Sequence, residues 1–231
     1  MQRTRIKICG LTRSADVDAA VAAGADAIGF VFYRNSARYV TPERAAQLIA
    51  MLPPFVTAVG LFVNASVAEL KAVARIAPLG LLQLHGDETA EHSSALAAAA
   101  QRPFLRAFRV KPDTQAADLL KYEQLYRGAS AWFTGILLDT FVDAYGGAGK
   151  VFDWSLIPKE LAPRVVLSGG LSVQNAADAV FSVRPYAVDV SSGVEVDKGI
   201  KDASKIAAFC AAIGAADATI ERENTNERPV C

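Results

Sequence analysis

The chain has 231 residues, 52% hydrophobic and 21% charged, which suits one α/β domain and excludes disorder as the main state. Lys and Arg number 24 and Asp and Glu 24, so no bulk field selects duplex DNA or an anionic membrane, and any bound anion must be caught locally. Cys9, Cys210 and Cys231 lie far apart with no Cys-x-x-Cys, which argues against a disulfide framework or a zinc cluster.

Taken in chain order, short apolar runs alternate with Ala-rich helical stretches. The start, Met1 to Lys7, is basic but lacks the apolar run and cleavage site of a signal peptide. Arg5 to Cys9 is predicted as a strand, Ala15 to Ala23 as a helix and Ala27 to Val31 as a strand. Thr41 and Pro42 suit the cap and first position of the next helix. Residues 45–68 carry no charge over a length that could span a bilayer, but Pro53-Pro54 cuts the run. It is read as a helix end, a Pro stop and a buried strand over Thr57 to Val63. A soluble, cytoplasmic protein in a reducing compartment is expected.

Ser66 caps a helix to Ile76, Leu81 to Leu84 is a strand, and Thr89 to Ala100 a helix. Phe104 to Val110 and Gly135 to Asp139 are strands flanking a helix over Asp113 to Tyr126. A Gly-rich loop and a short helical piece near Trp154 follow. Val165 to Ser168 and Ala187 to Val190 are strands, with helices over Val173 to Phe181 and Asp202 to Ile213. These eight strand–helix units, with strands apolar on both faces, favour a single (βα)8 TIM barrel over residues 1–214. An open doubly wound sheet is the competing architecture. Residues 215–231 form a polar tail expected to be flexible.

In a barrel the loops after the strand C-termini build the site, and residues two apart on a strand share a face. Lys7 and Cys9 therefore share a face of the first strand, and Gln83 and His85 one of the fourth. Asp139 ends the sixth strand, and Asp189 and Ser191 close the eighth. Burying such groups without partners is costly, so together they suggest a polar, ligand-filled mouth. Singly, Cys9 also fits a small buried hydrophobe, Asp139 a loop cap and His85 a structural histidine. A cation on the same face as a thiol favours thiolate, so Lys7 is expected to lower the Cys9 pKa.

The glycines add a phosphate argument. Leu167-Ser-Gly169-Gly170-Leu171 and Asp189-Val-Ser191-Ser192-Gly193-Val-Glu195 follow the seventh and eighth strands, whose loops form the usual phosphate pocket of this architecture. A third cluster, with Gly147 and Gly149, follows the sixth strand and lacks Walker A spacing. Arg38, after the second strand, suits planar recognition of a carboxylate and equally a solvated loop. With two histidines and no HExxH, a catalytic metal has little support.

Together these segments resemble the phosphoribosylanthranilate isomerase family. They are Lys7-Ile-Cys-Gly10, Ser36-Ala-Arg-Tyr-Val40, Leu82-Gln-Leu-His-Gly-Asp-Glu88, Leu137-Leu-Asp139, Gly146-Gly-Ala-Gly-Lys150, Leu167-Ser-Gly-Gly-Leu171 and Asp189 to Glu195 with Gly199-Ile-Lys-Asp202, in family order. The resemblance implies an Amadori rearrangement of N-(5-phosphoribosyl)anthranilate in tryptophan biosynthesis, without cofactor or metal. It implies Cys9 as general base and Asp139 as general acid. It also implies Arg38 on the anthranilate carboxylate, and Gly170 and Ser192 in the phosphate loops. Lys7, Gln83, His85, Gly147, Gly149, Gly169, Asp189, Ser191 and Gly193 complete the expected substrate-binding set. Ala37 stands where the family generally has Pro, and Ala148 where it has Thr or Ser.

Other phosphate-binding barrels, an epimerase or indole-glycerol-phosphate synthase, would want metal ligands or a second Lys–Glu set that the sequence does not offer. A non-catalytic phosphate-binding barrel is the remaining alternative. The expected partner is a small substrate, with the chain a monomer or homodimer.

Overall fold

A computed structural model describes residues 3–141 and 151–226. Eight parallel strands close into one barrel in sequence order: β1 (Arg5–Cys9), β2 (Ala27–Val31), β3 (Thr57–Phe62), β4 (Leu81–Leu84), β5 (Phe104–Val110), β6 (Phe133–Thr140), β7 (Val166–Leu167) and β8 (Ala187–Val190). The ring closes where Lys7 pairs with Asp189 between β1 and β8. The helices are α1 (Ser14–Ala22), α2 (Pro42–Ile49), α3 (Val67–Ile76), α4 (Ala90–Ala100), α5 (Ala116–Ala129), α6 (Ala176–Val183) and α7 (Ala203–Asn226). Between β6 and β7 the described residues carry two 3₁₀ turns, Trp154–Leu156 and Ala162–Arg164. The open sheet is thereby set aside in favour of the barrel.

The caps form as their residue types dictate. Thr41 accepts the Arg44 amide at 3.2 Å, and Ser66 and Glu69 make a reciprocal capping box. The uncharged 45–68 run resolves into the end of α2, the Pro53-Pro54 break and β3.

Strand alternation divides the apolar residues between two cores. Ile6, Ile8, Ile28, Phe30 and Leu82 pack outward against the helices. Leu105, Ala107, Leu137, Val166 and Ala187 fill the barrel's interior. Above that apolar floor the interior turns polar with Lys7, Gln83, Ser168 and Asp189, all buried.

The structure departs from expectation at the C-terminus. The final helix does not end near Ile213, and the tail is helical through Asn226. Ile206, Phe209, Cys210, Ile213, Ala216 and Ile220 form one buried stripe at helical spacing, so the polar residues after Gly214 are the outer face of a continuing amphipathic helix. By length and composition α7 could cross a membrane, yet this stripe packs on the barrel. Ahead of it lies an unpredicted antiparallel hairpin, β9 (Glu195–Asp197) with β10 (Ile200–Lys201).

Candidate active site

The described site residues gather at the C-terminal ends of the strands. Cys9 ends β1 and Asp139 stands near the end of β6, three places away around the closed ring. The thiol and carboxylate thus approach one mouth from different sides.

Asp139 is held from two directions. Its Oδ1 accepts the Thr140 amide at 2.9 Å, and its Oδ2 lies 3.0 Å from His85 Nε2. Gln83, fully buried, reaches His85 Nδ1 through its own Nε2 at 2.9 Å. An amide nitrogen only donates, so Nδ1 is the acceptor and Nε2 carries the ring hydrogen toward Asp139. Gln83, one of the expected substrate-binding residues, bonds the histidine ring. Behind them the buried Arg106 donates to the carbonyls of Leu84, Gly86 and Glu88 and lies 3.3 Å from the Glu88 carboxylate, fixing the loop that carries His85.

Lys7 is likewise engaged from within. Its Nζ lies 2.7 Å from Asp189 Oδ1, with both side chains buried, while Ser168 donates to Asp189 Oδ2 at 3.2 Å. Lys7 and Asp189 were expected to bind substrate; each is occupied by the other one layer below the mouth. The ammonium also faces the thiol, since a Cβ on Gly29 would lie 2.6 Å from Cys9 Sγ and 3.1 Å from Lys7 Nζ.

Burial outweighs the pull of Lys7 on the Cys9 thiol, which itself runs in the expected direction. Burial pushes the Cys9 thiol above its ordinary range; Lys7 pulls it down, Asp189 pushes it up and Lys201 pulls it down, with burial prevailing. Lys7 is itself held above its ordinary value: burial opposes its charge most, but Asp189 and Cys9 outweigh it.

Arg38 is not a solvated loop charge. Its Nε and Nη2 donate to the two oxygens of Glu195, each at 2.7 Å, and Lys201 Nζ reaches Glu195 Oε1 at 2.8 Å. Lys201 also donates to Ser191 O and Oγ at 3.0 and 3.3 Å, and Ser191 Oγ donates to the Cys9 carbonyl at 3.1 Å. Glu195 and Lys201 were unassigned in the sequence, as was Ser168. Glu195 and Lys201 are the two buried charges on either side of an exposed turn that also carries Asp197 and Lys198, a distinction legible only once that hairpin is seen.

Gly169 and Gly170 take φ of +80° and +68°, a succession that residues with a Cβ rarely adopt. A Cβ on Gly169 would also lie 2.8 Å from Asp139 Oδ1. Asn175 locks the loop by bonding Gly170 O at 3.0 Å and accepting the Ser172 amide at 2.8 Å. Ser192 and Gly193 lie in a 3₁₀ turn after β8. Gly147, Gly149 and the Ala148 departure lie outside the described residues. Among the described residues no group of three His, Cys, Asp or Glu side chains is placed to hold a metal.

Comparison with known proteins agrees on one family. A profile for N-(5′-phosphoribosyl)anthranilate (PRA) isomerase matches residues 6–212. An N-(5′-phosphoribosyl)anthranilate isomerase of Herminiimonas arsenicoxydans is 69% identical over 221 residues, covering 96% of this chain and 97% of the relative. A phosphoribosyl anthranilate isomerase solved with reduced 1-(o-carboxyphenylamino)-1-deoxyribulose 5-phosphate superposes with a TM-score of 0.78 at 39% identity, over 92% of this chain and 99% of that one. Monomers generated from the dimeric enzyme of Thermotoga maritima superpose at 0.77 with 39% identity and the same coverage.

Proposed function

The chain belongs to the N-(5′-phosphoribosyl)anthranilate isomerase family, and from that premise we propose how its mouth divides the chemistry. The reaction is the isomerisation of N-(5-phosphoribosyl)anthranilate to 1-(2-carboxyphenylamino)-1-deoxyribulose 5-phosphate in tryptophan biosynthesis. It needs an acid and a base on one held sugar.

Asp139 is the acid and Cys9 the base. The Asp139 carboxyl protonates the furanose ring oxygen, the C1′–O bond breaks, and the anthranilate nitrogen lone pair forms the Schiff base. The Cys9 thiolate takes the C2′ proton, and the electron pair left behind gives the enolamine, which tautomerises to the ketone. The observation that carries this reading is the hold on Asp139: the carboxylate left after proton delivery accepts from His85 Nε2 and the Thr140 amide, both already aimed at it. Lys7 and Lys201 supply positive charge near the thiol when it ionises.

Arg38 takes the anthranilate carboxylate. The amides of Gly170, Ser192 and Gly193, in the loops after β7 and β8, take the phosphate. His85, Gln83, Lys7, Asp189 and Ser191 act as positioning residues rather than direct contacts. Every one of these side chains belongs to one barrel, so as monomer or homodimer each copy turns over on its own. We place the enzyme in the cytoplasm, where charged phosphorylated intermediates are retained.

The test follows loss of anthranilate fluorescence on mixing with fresh substrate. Cys9→Ala and Asp139→Asn should each lose at least about 10²-fold in turnover while keeping the wild-type circular dichroism. Near-normal turnover in either variant removes that residue from the mechanism.

A further inference from the structure

Arg38 offers its guanidinium through two faces, the side edge of Nε and Nη2 and the end carrying Nη1 and Nη2. The side edge is taken by Glu195 at 2.7 and 2.7 Å. Nη1 has no acceptor among the described residues. A second carboxylate can therefore pair with this arginine only at its end.

We propose that Glu195 is a positioning residue that fixes Arg38 end-on toward the carboxylate of the substrate, and so sets the enzyme's preference for carboxylated over uncarboxylated ligands. The inference rests on the reading that Arg38 receives that carboxylate. Two further observations support it.

The first is the charge count. Arg38, Glu195 and Lys201 carry two positive charges and one negative, and the Lys201 side chain is fully buried against the carboxylate. Glu195 thus neutralises one cation and leaves a single positive charge at the mouth, the complement of one carboxylate. Burial pushes the Glu195 carboxyl up, but Arg38 and Lys201 together hold it below the usual range, so it remains an anion at working pH.

The second is the packing of the arm. A Cβ on Gly10 would collide with the Arg38 stem, and one on Gly199 would lie 2.8 Å from the Ala37 carbonyl. The Arg38 stem thus packs on the loop after β1, and the 37–38 backbone on the β9–β10 turn. The rigidity that a proline would lend at position 37 is supplied here by that contact and by the two-point Glu195 bond. Lys201 extends the frame to Ser191, and Ser191 to the Cys9 carbonyl, which ties the carboxylate end of the site to the strand bearing the base.

The experiment measures two ligands by calorimetry: reduced 1-(o-carboxyphenylamino)-1-deoxyribulose 5-phosphate and the same molecule with phenyl in place of carboxyphenyl. Glu195→Gln should weaken the carboxylated ligand by at least about 10-fold and the phenyl ligand by no more than about twofold. KM for substrate should rise with little change in kcat. Equal weakening of both ligands, or of neither, overturns the proposal. Arg38→Met separates the premise from the inference. If it keeps the preference for the carboxylated ligand, the reading of Arg38 fails. If it loses the preference while Glu195→Gln keeps it, only the role of Glu195 fails. Should Glu195→Gln not fold, Glu195→Gln/Lys201→Met, which leaves no unpaired buried lysine, carries the same expectation for the two ligand affinities, with kcat left out of the comparison because Lys201 also acts on the thiol.

Discussion

Lys7 Nζ sits 2.7 Å from Asp189 Oδ1 across the seam where β1 meets β8, one pleat below the Cys9 thiol. Replacing such a buried pair by apolar residues is often neutral for stability, so the pair is better explained by what it does to its neighbours. Asp189 keeps Lys7 charged in a buried position, and Lys7 is the strongest influence opposing the burial that raises the thiol.

The pH dependence follows with a definite sign. The thiolate is the active base, so kcat/KM should rise with pH as Cys9 ionises. Because burial prevails, that rise should extend above the ordinary thiol value of about 8.5. Lys7→Met/Asp189→Asn removes the stronger downward influence together with the weaker upward one, so the rising limb should move to still higher pH. A pH–rate profile with an unmoved limb contradicts this coupling.

His85 tests the difference between holding Asp139 and holding substrate. His85→Ala should lower kcat by about 10- to 100-fold with little change in KM, because the acid loses its orientation. A raised KM at unchanged kcat would instead make His85 a substrate contact.

Arg106 concerns stability rather than chemistry. Arg106→Met leaves Glu88 buried beside the loop carbonyls without its cation, and urea unfolding should show a loss of about 3–5 kcal/mol. An unchanged midpoint would show that the Asn64 and Gly86 amides on Glu88 suffice alone.

The C-terminal helix makes a fourth prediction. Truncation after Gly214 removes Asp217, which accepts the Thr4 amide and hydroxyl at 2.7 and 2.8 Å, and the buried Ala216 and Ile220. The shortened chain should lose about 2–4 kcal/mol of stability yet retain turnover at low temperature. Unchanged stability would mean that this part of the helix contributes nothing to the barrel.

How much of this was legible in sequence depends on the range of the interaction. The strands were legible because buried parallel strands are short continuous apolar runs bounded by polar turns. Thr41 and Ser66 were legible because a cap is a local bond. Cys9, Asp139 and His85 were found because strand ordinal and face place them at the mouth. The Lys7–Asp189 and Arg38–Glu195 pairs join residues separated by 182 and 157 positions, which no local pattern registers. The tail reads as a solvated segment because past Gly214 its buried stripe is only Ala216 and Ile220, set in an otherwise polar or small outer face.

The most direct measurement is a crystal structure of this chain with reduced 1-(o-carboxyphenylamino)-1-deoxyribulose 5-phosphate. The account predicts one sugar chain spanning the mouth, with Cys9 Sγ about 3–3.5 Å from C2′ and the Asp139 carboxyl at similar distance from the former ring oxygen. A ligand that reaches one of these groups and leaves the other beyond contact contradicts it.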